Sequence, residues 1–485
     1  MSGTRTFAKG WMRLAPHMLP FADAATAELP LGRLVRLSLF QVSVGMLLTL
    51  LVGTLNRVMI VELSVPATLV GLMIALPIIA APFRALIGFR SDNHRSRLGW
   101  RRVPYLWFGA LMQFGGLAIM PFALIILSGD THGPVWYGTV AAALAFLVAG
   151  TGLHTTQTVG LALATDLAPE SARPRVVALM CTMLLLGSAV SSLVYGALLV
   201  DFSQMRLIQV IQGTALTALL LNMIALWKQE PRDPARTAKV EREPKFSAAW
   251  REIGREPHAM RRLVALALGT VAFGMQDILL EPYGGEVLKL SVAGTTLLTA
   301  VFALSGVAGF VTGAAAMNRR HDTYRIASMG ALCGLVGMTA VLFAAPLHST
   351  VLFVVGVAAV GFGGGLFAHT TLTAAMALAP AGRVGLALGL WGAVQATAAG
   401  VATVLGGLLR DGVDWLAAAG HLGSTLVSPA TGYGVVYNLE IVLLFATLAA
   451  LGPLVRITAV RGSAQSKGPD SPDFPIHRLS REVVT

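Results

Sequence analysis

Apolar and polar residues alternate along this chain in long blocks. Twelve apolar runs span 37–61, 67–89, 104–127, 135–159, 174–200, 205–227, 262–282, 294–317, 324–345, 350–378, 384–408 and 433–456. Each is near or above the ~20 residues that a helix needs to cross the hydrocarbon of a bilayer. The pattern predicts an all-α integral membrane protein of twelve transmembrane helices. The longest polar stretch, 228–261, lies halfway and is rich in Pro, Arg and Glu. It divides the chain into an arm (1–36), a six-helix bundle (37–227), a linker (228–261), a second six-helix bundle (262–456) and a Ser/Pro/Lys/Asp-rich tail (457–485) expected to be disordered. The second part of the linker, Phe246 to Arg262, reads either as a surface helix resting Trp250 and Ile253 on headgroups or as a solvated connection.

Charge supports this picture and orients it. Only 12% of the 485 residues are charged and mean hydropathy is +0.71, against roughly 25% charged residues in soluble domains. The net charge of +12 would suggest nucleic acid in a soluble protein. Here the basic residues sit between apolar runs, so a nucleic-acid partner is excluded. With the N-terminus inside, alternate loops place 32 of the 36 Lys and Arg on the cytoplasmic side and leave Arg57, Arg206, Lys289 and Arg410 outside. Both termini are thus expected in the cytoplasm. Residues 1–36 lack a clean apolar h-region, so the first span is expected to serve as its own insertion signal. Cys181 and Cys333 lie in apolar runs and read as small hydrophobes.

The halves echo each other. Gly150-Thr151-Gly152-Leu153-His154-Thr155-Thr156, then Leu167-Ala168-Pro169, resembles Gly363-Gly364-Gly365-Leu366-Phe367-Ala368-His369-Thr370-Thr371, then Leu378-Ala379-Pro380. Leu63-Ser64-Val65 echoes Leu290-Ser291-Val292. A repeat that maps helix n onto helix n+6 is the duplication of a major-facilitator fold. Gly88, Arg90 and Asp92, then Gly99, Arg101 and Arg102, resemble the cytoplasmic motif of that superfamily, in which the acidic and basic residues clamp helix ends across the half-interface.

Ionisable groups inside membrane spans mark candidate sites, because each is expensive there without a partner. Asn56, Arg57 and Glu62 end the first span, and Gln276, Asp277 and Glu281 end the seventh. Arg57 is placed to pair with Asp277 or Glu281. Such a group serves either as a polar site for a headgroup, ligand or coupling proton, or as a structural ion pair that locks the halves. His154 and His369, in matching places of the two halves, read either as axial ligands for the Mg of a chlorin or as packing residues. Arg84 is expected to snorkel. No metal-ligand spacing, catalytic constellation or phosphate loop is present.

Several stretches resemble the PucC/LhaA family, the bacteriochlorophyll-delivery branch of the major facilitators. They include Gly53-Thr54-Leu55-Asn56-Arg57-Val58-Met59-Ile60-Val61-Glu62-Leu63, Pro82-Phe83-Arg84-Ala85-Leu86-Ile87-Gly88-Phe89-Arg90-Ser91-Asp92 and Gly274-Met275-Gln276-Asp277-Ile278-Leu279-Leu280-Glu281-Pro282-Tyr283-Gly284-Gly285. The resemblance runs from about residue 30 to about 457. It implies a non-enzymatic assembly factor for purple-bacterial light-harvesting antennae, in the inner (intracytoplasmic) membrane. Its implied partners are antenna polypeptides, the reaction centre–core antenna complex and pigment-synthesis enzymes, with bacteriochlorophyll as the implied cofactor. The LhaA branch, serving the core antenna, is favoured over the peripheral one. Fold alone would favour a proton-coupled transporter of a small solute, so that alternative stays open.

Overall fold

The computed structural model describes residues 29–79, 100–129, 134–169, 172–230, 258–318, 322–377, 384–423 and 426–466. Its helices are α1 (Leu31–Glu62), α2 (Ala67–Ile79), α3 (Val103–Leu127), α4 (Val135–Leu167), α5 (Arg173–Leu198), α6 (Gln204–Leu226), α7 (Ala259–Glu286), α8 (Val292–Asn318), α9 (Thr323–Ala344), α10 (Thr350–Ala377), α11 (Val384–Ala418) and α12 (Ala430–Ser466). Among the described residues, all except α2 are long and apolar enough to cross a membrane. Their starts follow local chemistry. Pro30 and Pro134 precede α1 and α4, Ser203 caps α6 by accepting from Arg206 N at 3.2 Å, and Asp322 caps α9 by accepting from Arg325 N at 2.9 Å.

The helices run longer than the apolar runs predicted at several ends. α4 continues to Leu167, α11 to Ala418 and α12 to Ser466, ten residues into the expected tail. Residues 246–257 of the expected surface helix lie outside the described residues, and so do Arg84, Gly88, Arg90, Asp92 and Gly99.

Each half pairs its helices in the same way: α3 lies along α4, and α9 along α10. The halves meet where α2 lies along α11 and α5 along α8. Backbone contact at glycines makes the internal repeat measurable. A Cβ on Gly109 of α3 would meet Gly152 O at 3.1 Å and Thr156 N at 3.2 Å; one on Gly330 of α9 would meet Gly363 O at 2.8 Å and Phe367 N at 3.0 Å. One turn pair further, Gly116 faces Ala145 O and Ala149 N, as Gly337 faces Gly356 O and Val360 N. Residue n of α4 therefore occupies the place of residue n+211 in α10. On that register His154 matches Gly365, and His369 matches Thr158.

The two histidines are not equivalent, contrary to expectation. The shared His-Thr-Thr letters are displaced by one helical turn from the packing register, which small residues at the helix contact set. The first echo shifts as well. After α1, Leu63 N donates to Val58 O and Val65 N to Met59 O; after α7, Leu288 N donates to Tyr283 O and Leu290 N to Gly284 O. The left-handed residues of these matching turns are Ser64 and Lys289, so Ser64 corresponds to Lys289 and not to Ser291.

These contacts predict a contrast between two glycines. Gly337→Val pushes a side chain into the α10 backbone and lowers stability by about 1–3 kcal/mol. Gly115→Val, where nothing lies within 4 Å of a Cβ, leaves the melting temperature of the detergent-solubilised protein unchanged.

Candidate functional site

α1 and α7 are irregular where they meet. α1 is wound wide as a π-helix over Thr49–Leu55 and Val58–Glu62, and α7 tightens to a 3-10 turn over Met275–Ile278. Such irregularities shift backbone groups out of the regular ladder, and hydrocarbon offers them no partner. Side chains supply what is missing. Asn56 Nδ2 donates to Ile278 O at 2.8 Å, and Glu440 Oε1 on α12 accepts from Gln276 N at 2.6 Å. Asn56, Gln276 and Glu440 are all fully buried. A broken helix held this way at membrane depth is the arrangement around which transporter-type folds build polar sites.

The charges around this junction pair differently from expectation. Arg57 is bound to Glu62 on its own helix, and its Nη2 donates to Leu290 O at 3.4 Å. Gly285 lets the guanidinium approach, since a Cβ there would lie 3.0 Å from Nη2. Glu281 accepts instead from Thr299 on α8 and lies against Gly53 of α1. Asp277 accepts from its neighbour Gln276 Nε2 at 2.9 Å. Among the described residues the salt bridge of Arg57 is with Glu62, because the wide turn of α1 brings Glu62 under the guanidinium; none joins Arg57 to Asp277 or Glu281, although its charge still acts on Glu281. The break in α7 also sends Asp277 and Glu281 to different surroundings.

Asp277 is exposed toward the end of its span, because it opens into a partly open cavity of ≈160 Å³ within the second half. Phe273, Asp277, Phe367, Thr371, Trp391 and Gln395 are among its lining residues. Neither histidine lines it. His369 is buried between α8 and α10, its ring 4.3 Å from that of Phe310 and packed on Gly313. His154 is half-buried on α4.

Both poles of the bundle are laced by charge. At the pole that carries residues 63–66 and 287–291, Arg410 of α11 contacts Glu286 at 2.6 Å, Asp411 at 2.9 Å and Asp414 at 3.1 Å, and lies over the Tyr433 ring. Asp411 Oδ2 accepts from Thr68 N at 2.7 Å, so an acid of the second half caps α2 of the first. At the opposite pole Arg102 and Arg101 reach Asp166 at 3.1 and 3.4 Å. The carboxylate of Glu230 accepts from the backbone N–H of Arg101, Arg102 and Val103, capping α3. Asp166 belongs to the first half and Glu230 to the start of the linker; Gly88, Arg90, Asp92 and Gly99, the rest of the motif expected to clamp helix ends across the halves, lie outside the described residues.

Sequence reasoning passed over Glu440, Asp411 and Glu230. A lone acid inside the apolar run 433–456 was the available signal for Glu440. Glu440→Ala leaves the Gln276 amide unpaired and costs about 1–3 kcal/mol in thermal unfolding, whereas Glu440→Gln keeps an acceptor and most of the stability. In double-mutant cycles on stability, Arg57→Gln and Asp277→Asn add within about 0.5 kcal/mol; Arg57→Gln and Glu62→Gln depart from additivity.

Comparison with known proteins agrees with this architecture. Residues 54–459 match a family model described as PUCC protein. The chain is 54% identical over 467 residues, covering 96% of each chain, to an uncharacterized protein in the puhA-bchM intergenic region of Rhodobacter capsulatus. It is 53% identical over 452 residues, 93% of this chain and 97% of the relative, to Protein PucC of Cereibacter sphaeroides. Among solved structures, a D-xylose-proton symporter superposes with a TM-score of 0.61 at 17% identity, covering 85% of this chain and 96% of that one. The nucleoside transporter NupG superposes with a TM-score of 0.60 at 16% identity, over 86% of this chain and 98% of that one. The chain belongs to the PUCC protein family and is a multi-pass membrane protein with the two-bundle fold of the major facilitators.

Proposed function

We propose that this protein is a non-catalytic assembly factor for the light-harvesting antenna of a photosynthetic bacterium, the core antenna ahead of the peripheral one. It helps antenna polypeptides insert and organise, and it hands over bacteriochlorophyll. The observation that carries this reading is its likeness, across nearly the full chain, to proteins named PucC. A more distant relative, 29% identical over 449 residues, is named bacteriochlorophyll synthase 44.5 kDa chain, which supports the pigment connection. The excess of Lys and Arg in alternate loops supports an orientation with both termini in the cytoplasm.

Bacteriochlorophyll enters as cargo. Pockets for drug-sized ligands measure about 300–1,000 Å³, and a cavity of ≈160 Å³ bounded by the described residues is too small for a chlorin. Neither histidine lines it, so this cavity does not support the pigment contact. The transporter reading keeps one supporting observation, the carboxylate of Asp277 facing a cavity of the second half.

Deleting the gene from a pigmented host tests the reading. Antenna absorbance falls several-fold while reaction-centre photochemistry persists, and the intact gene restores it; unchanged antenna bands refute the proposal. His369→Ala, by the same measurement, lowers protein stability without selectively lowering pigment per folded protein. Proton-driven solute uptake by proteoliposomes, abolished by Asp277→Asn, would favour transport instead.

A further inference from the structure

The inner and outer faces of α6 treat polar side chains differently. On the inner face Thr214 Oγ1 donates to Tyr195 Oη at 2.8 Å. Asn222 Nδ2 donates to Ser43 Oγ at 2.9 Å and Gln113 Oε1 at 3.2 Å. On the outer face Gln209, Gln212, Gly213 and Thr217 are exposed in one row, and the three polar side chains have no hydrogen-bond partner among the described residues. α6 has 23 residues, so it is roughly 34 Å long at 1.5 Å per residue. Gln212 lies roughly 12 Å from its start and Thr217 roughly 20 Å, both within a hydrocarbon layer of ~30 Å. Lipid tails offer these groups nothing.

α12 of the second half makes the contrast. Its exposed polar residue Asn438 donates to Gly434 O at 2.8 Å and so is satisfied within its own helix. Gly213 adds access: no atom lies within 4 Å of a Cβ placed there, so another backbone can come close, with Leu216 and Leu220 exposed beside it.

We propose that the Gln209–Gln212–Gly213–Thr217 face of α6 docks the transmembrane helix of a single-span antenna polypeptide that presents small residues and a hydroxyl, amide or imidazole at the same depth. The hydrogen-bonding row calls for a partner with polar groups inside the bilayer, and the assembly reading supplies that partner as an antenna polypeptide. Helix association in lipid uses this combination of close approach and interhelical hydrogen bonds. The inference rests on the assembly reading and assigns to it a surface that the cavity and the polar junction do not supply.

Site-directed photocrosslinking in antenna-producing cells tests it. A benzophenone amino acid replaces Leu216 on α6 or, as a control, the exposed Val442 on α12, and adducts are identified by mass spectrometry. The Leu216 probe captures a single-span antenna polypeptide and the Val442 probe does not. Adding Gln212→Leu and Thr217→Val, which alter only exposed groups, lowers the adduct roughly three- to ten-fold. Capture of a second copy of this chain, equal capture at both positions, or an adduct indifferent to the two substitutions overturns the docking surface. The two readings separate in a deletion strain. If the intact gene and the Gln212→Leu, Thr217→Val variant restore antenna absorbance equally, assembly stands and this surface falls; if deletion leaves the antenna unchanged, the assembly reading itself falls.

Discussion

Hydrocarbon cannot hydrogen-bond to a polypeptide, and the structure turns on how that constraint is met where α1 and α7 lose regular winding. The Ile278 carbonyl and the Gln276 amide are satisfied by Asn56 from α1 and Glu440 from α12. Each of these bonds also joins helices: the first crosses between the halves, the second ties α7 to α12. A local irregularity is thereby converted into the joint that fixes one bundle against the other. The Asp411 cap on α2 and the buried Arg57 beside Gly285 reinforce the joint at the same pole.

The joint also determines which polar groups remain available. Glu281 is engaged by Thr299 and Arg57 by Glu62, so of the polar residues that end the seventh span Asp277 alone opens to the cavity. A cavity of this size with one carboxylate and three aromatic rings suits neither a chlorin nor a metal centre; among the described residues no group of acids, histidines and cysteines is arranged to hold a metal ion. Much of the polar chemistry of the core is committed to holding helices. On the proposed assembly reading the protein needs a stiff body with informative outer surfaces, and the exposed polar row of α6 is the proposed surface of that kind.

Much of this was legible in the sequence, and what was missed has physical causes. Apolar run length located the helices of the described residues, because lipid imposes that length directly. The six-plus-six division was visible in the 228–261 stretch and in the repeats. The register of the repeat was not, since His154-Thr155-Thr156 and His369-Thr370-Thr371 match as letters while the glycine contacts of α3 with α4 and α9 with α10 set the true step of 211. Arg57 was recognised as a buried charge, but its partner depended on the π-helical winding of α1, and that winding leaves no mark in an apolar pattern. Glu440 stood out as a lone acid in an apolar run, but its role was hidden for a related reason: its partner Gln276 is 164 residues away, and the need it meets exists only because α7 breaks.

Hydrogen exchange at the break in α7, with the protein in lipid nanodiscs, tests the central claim most directly. The Gln276 amide lies outside regular α-helix, one residue from an aspartate that faces a cavity, so without its bond to Glu440 it should exchange as readily as a loop amide. The account predicts that the peptide spanning 274–279 exchanges as slowly as the regular part of α7. Exchange at the rate of an exposed loop would contradict it.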